Sequence, residues 1–531
     1  MDCPSCGRDN PDNSQFCNGC GVRLMVLKGQ GAAPEADSGV NFGFSATRFV
    51  GRRRELDELT SCLDATGSGQ GQLVMLIGEP GIGKTRTAEE LTSLAEAQGF
   101  QTLWGRCYEG EGAPPYWPWV QPLRSYIQQV DPEQLYAQMG PGAADIAEIV
   151  PEVRSKLPGL EPPPPLDPEQ ARFRLFDSVT TFLSSAAQAQ PLLLVLDDLH
   201  WADQSSLLLL EYVTREIGRS RILLVGTYRD VELNRQHPLA ETLGELTRTL
   251  PFHRLLLRGL SQDEVIRFME STAGRAAAPD LVTTVYHQTE GNPLFVGEVM
   301  RLLVQEEQLS AGGGLSGVAL SDGAPVSTDG WRVRIPEGVR EVIGRRLNRL
   351  SPGCNDTLIM ASLIGREFGF DQLQPLLPEL PRDQLMETLE EAVGVRIIEE
   401  LPYGMLRYQF THALVQETML ADLTQTRRVR LHAQIGETLE ELYRNSTLDH
   451  VAELAYHFAE AETVTGTEKS IRYAVLAGEQ ALAAHAHEEA AWHFQRAREA
   501  KSGQPMDAEL AAILSGLGRA QAATLERHRM R

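Results

Sequence analysis

One glycine-rich stretch constrains the fold of this chain more than any other: Gly78-Glu79-Pro80-Gly81-Ile82-Gly83-Lys84-Thr85. It fits the pattern G-x-x-x-x-G-K-[ST]. An apolar run at 73–77 precedes it and predicts a buried strand, and a helical pattern at 88–97 follows it. Glycines let backbone N–H groups turn inward around phosphate oxygens, and the following helix directs its positive end at them. The sequence therefore predicts a phosphate-binding P-loop rather than a glycine-rich turn without a ligand.

All eight residues of this loop are predicted to contact ATP. Lys84 can reach the β- and γ-phosphates as a point charge, so it is also a candidate catalytic residue. The Thr85 hydroxyl is placed to ligate Mg²⁺. ATP and Mg²⁺ are therefore the expected cofactors.

Two carboxylates, Asp197 and Asp198, end a second apolar run at 192–196. A buried strand would deliver both to the sheet edge beside the P-loop. Asp197 could then hold Mg²⁺, directly or through water, and Asp198 could orient or deprotonate the attacking water. Many fast ATPases have glutamate at the second position, and the shorter aspartate favours slow hydrolysis. The alternative is that these residues merely end a strand.

Two more residues near this edge are candidates for sensing a phosphate. His200 either senses the γ-phosphate or Asp198, or packs as an ordinary histidine. Arg229 follows the apolar run at 222–226. It either contacts the γ-phosphate as a catalytic residue or forms a surface ion pair.

Composition excludes several classes of function. The 49 Lys+Arg and 72 Asp+Glu residues give a net charge of −23, which argues against a broad surface for nucleic acid or anionic membranes. An acidic helix at 382–391, before a predicted hairpin, argues against DNA binding there. No apolar run is long enough to span a bilayer, and the first residues do not resemble a signal peptide. We therefore expect a cytoplasmic protein.

Four cysteines near the N-terminus, Cys3, Cys6, Cys17 and Cys20, form two C-x-x-C knuckles. Thiolates at this spacing suit tetrahedral, structural Zn²⁺, and the segment is too short to bury a core without metal. Residues 1–22 are therefore predicted to be a zinc ribbon. A redox or disulfide pair is the alternative.

Alternating strands and helices predict an α/β fold with a parallel sheet covered on both faces. The insert between the second and third strands contains a Trp/Pro cluster at 114–119 and a proline tract, Pro162–Pro165. We expect the cluster to pack on the domain rather than bind a partner, and the tract to be an exposed polyproline-II connector. The strands are expected at 73–77, 102–107, 192–196, 222–226 and 255–257.

The second half of the chain is predicted to be mainly helical. A capping signal at 261–264 opens a helical lid. Two segments, 396–401 and 406–411, flank Pro402-Tyr403-Gly404 and predict the hairpin of a winged helix. Small and aromatic residues at 471–497, Gly478 and Phe494 among them, fit a tetratricopeptide repeat. A second repeat starts at Ala511 and lacks its second helix, so we expect a truncated array, a fragment, or an array completed by another chain.

Five motifs, taken in their order along the chain, resemble those of the STAND group of signalling ATPases. These are AAA-related switch proteins in which an origin-recognition-complex-like ATPase domain precedes a winged helix and helical repeats. The resemblance spans about residues 47–500 and is to the subgroup found in large bacterial regulators and in soluble adenylyl cyclase-like proteins. The motifs are Phe49-Val50-Gly51-Arg52, the P-loop, Asp197-Asp198-Leu199-His200-Trp201-Ala202-Asp203, Thr227-Tyr228-Arg229 and Gly291-Asn292-Pro293-Leu294-Phe295.

The resemblance implies further site residues. It implies a nucleotide-binding role for the segment Val50, Gly51 and Arg52, and contacts of Gly291 and Pro293 with the base and sugar. It also implies a phosphate contact for His412. From the residues alone, Gly-Asn-Pro is a turn between helices and His412 is better explained as a structural histidine.

Together these features predict a signalling switch that binds ATP, hydrolyses it slowly, and binds a partner protein through its repeats, with self-association that depends on nucleotide. The alternatives are a non-hydrolysing regulator or scaffold, and a remnant of a cyclase-like protein without its cyclase domain. The predicted domains are a zinc ribbon (1–22), a flexible linker (23–46), a P-loop AAA-like ATPase domain (47–260), a helical lid with a mobile loop (261–330), a winged-helix-like domain (331–430) and tetratricopeptide-like repeats (431–531).

Overall fold

A central sheet of five parallel strands organises the chain in the computed structural model. Its spatial order is β2-β3-β4-β1-β5, which places β1, the strand before the P-loop, between β4 and β5. The predicted strands are confirmed, with ends shifted by a few residues. Their bounds are Gln72–Ile77 (β1), Gln101–Arg106 (β2), Leu192–Asp197 (β3), Ile222–Tyr228 (β4) and His253–Leu256 (β5). The structure describes residues 49–107, 112–230, 233, 237–249, 252–273, 277–310, 344, 347, 350–395, 397–401, 406–421, 423–444, 446–502 and 506–530.

Helices cover both faces of this sheet because β1, β3 and β4 are buried almost throughout and have no face that tolerates water. One face packs on Leu59, Leu63 and Leu91. The other packs on the insert and on the helix after β3. The helices are Arg53–Gly67 (α1), Lys84–Ala97 (α2), Trp117–Gln129 (α3), Pro132–Met139 (α4), Ala143–Ile146 (α5), Glu152–Lys156 (α6), Pro168–Ala189 (α7), Gln204–Glu216 (α8) and Pro238–Thr249 (α9).

The insert between β2 and β3 belongs to the main core. Tyr116 and Trp119 are almost fully buried. The Trp119 Nε1 donates to the Ser206 carbonyl at 3.0 Å, so the indole keeps its hydrogen bond after burial. The Trp/Pro cluster therefore packs on the domain, as predicted. The proline tract has no regular secondary structure and is mostly exposed.

Three helices after β5 form a separate layer with its own small apolar core. Val265 and Met269 are fully buried in it. The helices are Gln262–Ala273 (α10), Pro279–Thr289 (α11) and Pro293–Ser310 (α12). Of the predicted mobile loop, 310–330, Ser310 ends α12 and the other residues lie outside the described ranges.

A second sheet of three short antiparallel strands follows, in the order β6-β8-β7. The predicted hairpin is present in it, since β7 pairs with β8 from Ile398–Phe410 to Glu400–Tyr408. Its strands are Glu367–Gly369 (β6), Ile398–Glu400 (β7) and Arg407–Phe410 (β8), and the neighbouring helices are Pro352–Ile364, Phe370–Leu376, Arg382–Gly394, Ala413–Ala421 and Gln425–Leu442.

The last helices of the described chain pack on α7 and α8. Arg172 Nη1 pairs with Glu488 at 3.1 Å, and Ser205 Oγ donates to Glu489 at 2.7 Å. Two predicted repeat positions meet, because a Cβ on Gly478 would lie 2.9 Å from the Phe494 ring. The helices are Val451–Glu460, Glu462–Thr465, Thr467–Ala483, His487–Ala500 and Ala508–Met530.

Across the described ranges, every helix is too short or too polar to cross a lipid bilayer.

Candidate functional site

The P-loop backbone takes the shape that a phosphate cradle needs. Gly81 and Gly83 have φ angles of 77° and 97°, in the left-handed region that glycine enters without strain. Lys84 begins α2, and its Nζ donates to the carbonyls of Gly78 at 3.0 Å and Glu79 at 3.1 Å. The lysine is 6% exposed. The ammonium group therefore lies over the loop, where phosphates would replace carbonyl oxygens as its partners.

The two predicted magnesium ligands lie together. Thr85 Oγ1 is 3.1 and 3.2 Å from the two carboxylate oxygens of Asp197, which is fully buried. Thr227, at the end of β4, fixes this carboxylate by donating to its Oδ1 at 2.6 Å. The same hydroxyl accepts from the Asp198 backbone N–H at 2.9 Å. A hydroxyl and a carboxylate at the strand ends match the oxygen ligands that Mg²⁺ prefers.

Asp198 is held in a crowded position. Its φ and ψ are 59° and 45°, in the left-handed region, which is uncommon for non-glycine residues but tolerated by aspartate. Its Oδ2 lies 3.2 Å from Arg366 Nη1. Burial raises the pKa of Asp198, the nearby Asp197 raises it further, and Arg366 opposes both effects. The predicted base for water is thus occupied by a cation from the second sheet region.

A second arginine, Arg106, contacts the other carboxylate. Arg106 is the last residue of β2, and its Nε lies 3.4 Å from Asp197 Oδ2. Its Nη1 lies 3.3 Å from Glu367 on β6 and donates to Gln409 on β8 at 2.9 Å. One guanidinium group therefore touches both sheets.

Arg229 is buried, which corrects the surface ion pair considered from the sequence. It is 5% exposed, and its Nη1 lies 3.2 Å from Glu417. This ion pair joins the end of β4 to the helix Ala413–Ala421. A contact with the γ-phosphate stays a prediction.

Two neutral histidines face the same cations. Burial lowers the pKa of His200 to about 2, with Arg229 and Lys84 lowering it further. Burial also lowers the pKa of His412 to about 3, and Arg366, Arg229 and Lys84 add to this effect. His412 therefore belongs electrostatically to the P-loop site, although its phosphate contact stays a prediction.

The lid closes over the P-loop through the residues beside Pro293, which begins α12. Asn292 Nδ2 donates to the Pro80 carbonyl at 3.0 Å, and the Leu294 N–H donates to the Gly81 carbonyl at 3.3 Å. A Cβ on Gly81 would lie 2.8 Å from Leu294. Glycine at this position therefore lets the lid approach the loop, besides allowing its backbone conformation.

The segment before α1 also joins loop and lid. Arg52 Nη2 donates to the Ile82 carbonyl at 2.7 Å, and its backbone N–H donates to Glu264 of α10 at 3.1 Å. Gly51 is positioned against the same glutamate, since a Cβ there would lie 2.6 Å from Glu264 Oε1. Val50 precedes them and is partly buried. Their nucleotide contacts stay predictions.

These residues fit ATP with Mg²⁺. The buried Nε atom of Arg366 makes no hydrogen bond to any part of the chain that the structure describes, so an anion beside it would gain a donor. Lys84 and Arg229 add two further cations near Asp197 and Asp198. The glycine loop, the threonine hydroxyl and the buried carboxylate complete a phosphate and magnesium donor set.

Sequence reasoning singled out most of the residues at this site but missed Arg106, Arg366 and Glu417. The sequence could have indicated Arg106 as a site residue, because it lies at the end of a predicted strand and the carboxyl ends of parallel strands meet at one sheet edge. No local pattern indicates Arg366, because only the tertiary structure brings it to Asp198. The zinc-ribbon cysteines lie outside the described residues. Within the described ranges, no three His, Cys, Asp or Glu side chains are grouped to hold a metal.

Comparison with known proteins agrees with this geometry. Residues 48–225 match the AAA ATPase domain family. The region from α1 into β4 is therefore an AAA-type P-loop ATPase domain, which binds nucleotide and usually uses Mg²⁺. The match covers the P-loop and both strand-end aspartates, and it ends before Arg366 and Glu417.

Two curated proteins are similar to a larger part of the chain. An uncharacterized protein of Rhizobium meliloti (strain 1021) is 24% identical over 490 residues, covering 89% of this chain and 44% of that protein. The peroxide stress-activated histidine kinase mak3 of Schizosaccharomyces pombe is 22% identical over 364 residues, covering 65% of this chain and 14% of the kinase. The chain thus spans less than half the length of these relatives.

Two solved structures are among those similar to this chain. One is a signal transduction ATPase with numerous domains and a tetratricopeptide repeat sensor from Pyrococcus horikoshii, with 13% identity, a TM-score of 0.41, and coverage of 90% of this chain and 68% of that chain. The other is Cdc6p from Pyrobaculum aerophilum, with 14% identity, a TM-score of 0.33, and coverage of 72% and 98%.

Proposed function

We propose that this chain is an ATP-binding switch protein of the STAND type, in which slow hydrolysis is coupled to movement of the regions after the lid. The order of the sequence motifs supports this assignment. The observation that carries it is the ion pair between Arg366 and Asp198, at 3.2 Å. A downstream region holds the carboxylate that would activate water, so hydrolysis and the position of that region depend on each other.

The site residues have distinct tasks in this proposal. The P-loop N–H groups and Lys84 bind the phosphates, while Thr85 and Asp197 hold Mg²⁺. When bound, Mg²⁺ would neutralise charge on the transferring phosphoryl group. Asp198 can accept a proton from water only after Arg366 releases it, because an ion-paired carboxylate is a weaker base. In the same way, the ion pair with Glu417 restrains Arg229, another candidate catalytic residue at this edge.

A non-hydrolysing regulator is the second candidate, and one observation favours it. Asp198 is already engaged by the Arg366 cation, which makes its carboxylate a weaker base. Such a protein would bind ATP and change conformation without releasing phosphate. Both candidates share the binding site, so only turnover separates them.

Release of ³²P-labelled phosphate from purified protein tests the proposal. The wild-type chain should release phosphate slowly, Asp198→Asn should abolish release, and Arg366→Ala should increase it. Lys84→Ala should abolish ATP binding in calorimetry with little loss of fold. Arg427→Ala is a matched control, because this arginine pairs with Asp356 at 3.0 Å in an exposed ion pair.

The results distinguish the two candidates. ATP binding without phosphate release by either wild type or Arg366→Ala would establish the non-hydrolysing regulator. Unchanged release by Arg366→Ala from an active wild type would contradict the restraint on Asp198. Undiminished ATP binding by Lys84→Ala would refute the P-loop assignment.

We further propose that the sheet β6-β8-β7 and its helices form a winged helix, and that the C-terminal helices are tetratricopeptide repeats that bind a partner protein. Trp492 and Leu514 are 36% and 41% exposed on these helices and offer apolar contact area. The zinc ribbon would be an accessory contact module. A pull-down with the whole chain, compared with Trp492→Ala, tests the partner surface.

A further inference from the structure

Arg106 lies between the magnesium ligands and the second sheet, and its backbone is fixed in that place. Parallel pairing of β2 with β3 sets Arg106 opposite Asp197 in register. Gln121 of α3 clamps its peptide groups, accepting from the Arg106 N–H at 3.3 Å and donating to its carbonyl at 2.7 Å. Only the side chain is therefore free to change partners.

The side chain divides its charge between two anions. Asp197, at 3.4 Å from Nε, is fully buried, whereas Glu367, at 3.3 Å from Nη1, has a side chain that is 35% exposed. Gln409, which accepts from Nη1 at 2.9 Å, is paired with Glu367 in the β6–β8 register. The guanidinium group thus bridges the magnesium ligand and the second sheet through different nitrogen atoms.

We infer that Arg106 is a positioning residue that couples occupation of the magnesium site to the second sheet, because it competes with Mg²⁺ for Asp197. This inference rests on the proposed function. A divalent cation bound to Asp197 would repel the Arg106 guanidinium group and replace it as the partner of the Asp197 carboxylate. Arg106 then shifts its interaction toward Glu367 and Gln409. Because coupling is reciprocal, any change that ties Arg106 more firmly to Asp197 weakens Mg²⁺ binding.

The competition predicts effects of opposite sign for two variants. Arg106→Gln removes the competing cation, so Mg²⁺ should bind more tightly. Glu367→Gln removes the alternative anion, so Arg106 stays with Asp197 and Mg²⁺ should bind more weakly. Within the described part of the chain, the Glu367 side chain pairs with Arg106 and makes no hydrogen bond or ion pair with Thr85 or Asp197, which makes its effect diagnostic. Coupling between sites typically changes affinity by about fivefold or more.

Calorimetric titration of ATP into the full chain at a series of Mg²⁺ concentrations measures the effect. The half-maximal Mg²⁺ concentration should fall by about fivefold for Arg106→Gln and rise for Glu367→Gln, following the usual size of coupling. Hydrogen exchange of β6 and β8 should respond to Mg²⁺ with ATP in the wild type and not in Arg106→Gln. Arg54→Gln is the control, since Arg54 pairs with Glu58 at 3.1 Å in an exposed ion pair on α1.

Other results would overturn the inference. If Arg106 merely supports Asp197, Arg106→Gln will weaken Mg²⁺ binding, and Glu367→Gln will leave it unchanged. Because Glu367 is partly exposed, its variant remains informative if Arg106→Gln does not fold. ATP binding by the wild type without any Mg²⁺ dependence would refute this coupling alone, whereas no ATP binding at all would refute the proposed function together with it.

Discussion

Two glycines in the last described helix offer a matched test of how the C-terminal helices pack. Gly516 faces the Phe494 ring, and a Cβ there would come closer than 3.0 Å to three ring atoms. Gly518, in the same helix, would have no atom within 4 Å of a Cβ. The substitutions Gly516→Ala and Gly518→Ala therefore share their helix propensity and differ in packing.

The expected magnitudes follow from this difference. Alanine in place of a helical glycine stabilises by about 0.5–1 kcal/mol. Gly518→Ala should gain this amount. Gly516→Ala should gain the same stability from helix propensity but lose about 1–3 kcal/mol of stability because the new methyl group overpacks the Phe494 ring. The ring has little space to move away, because Phe494 is fully buried and a Cβ on Gly478 would already lie 2.9 Å from two of the same ring atoms.

Hydrogen exchange of the amides at 508–523 is the assay, because it reports local opening without requiring the whole chain to unfold. Since about 1.4 kcal/mol corresponds to a tenfold change, Gly516→Ala should exchange roughly fivefold to a hundredfold faster than Gly518→Ala. The double variant with Phe494→Leu should recover part of the loss. Equal protection in the two single variants would refute the packing.

Three other predictions concern separate parts of the chain. Burial lowers the pKa of His432 to about 4. Between pH 6.5 and 4 the unfolded chain therefore binds more protons than the folded chain, so the free energy of unfolding should fall as the pH falls. In acid unfolding, His432→Phe should reduce the dependence of this free energy on pH by about 1.4 kcal/mol per pH unit. The segment 1–22 should bind about one Zn²⁺ and order only with it, and native mass spectrometry without zinc would count against this. The chain should not bind duplex DNA; a salt-sensitive complex weakened by charge reversal at Arg427, Arg428 and Arg430 would show that the charge argument is wrong.

The sequence by itself determined the parts of the site that are local in the chain. The P-loop, Lys84 and Thr85 lie within one motif, and Asp197 follows one apolar run. Strands buried on both faces must be apolar throughout, so their positions can be recognised, and parallel strands bring their carboxyl ends to one edge. These rules predict from the sequence alone that Lys84, Thr85 and Asp197 lie at one sheet edge.

Only the tertiary structure decided which groups restrain that site. Arg366 and Glu417 lie 168 and 188 residues from Asp198 and Arg229, and no periodicity or motif links them. Their positions depend on how the second sheet packs against the first, and that packing is set by many contacts rather than by a local pattern. The same holds for Arg106. Its position at the end of a strand predicts the sheet edge where it lies, but its contact with both Asp197 and Glu367 depends on the packing of the two sheets.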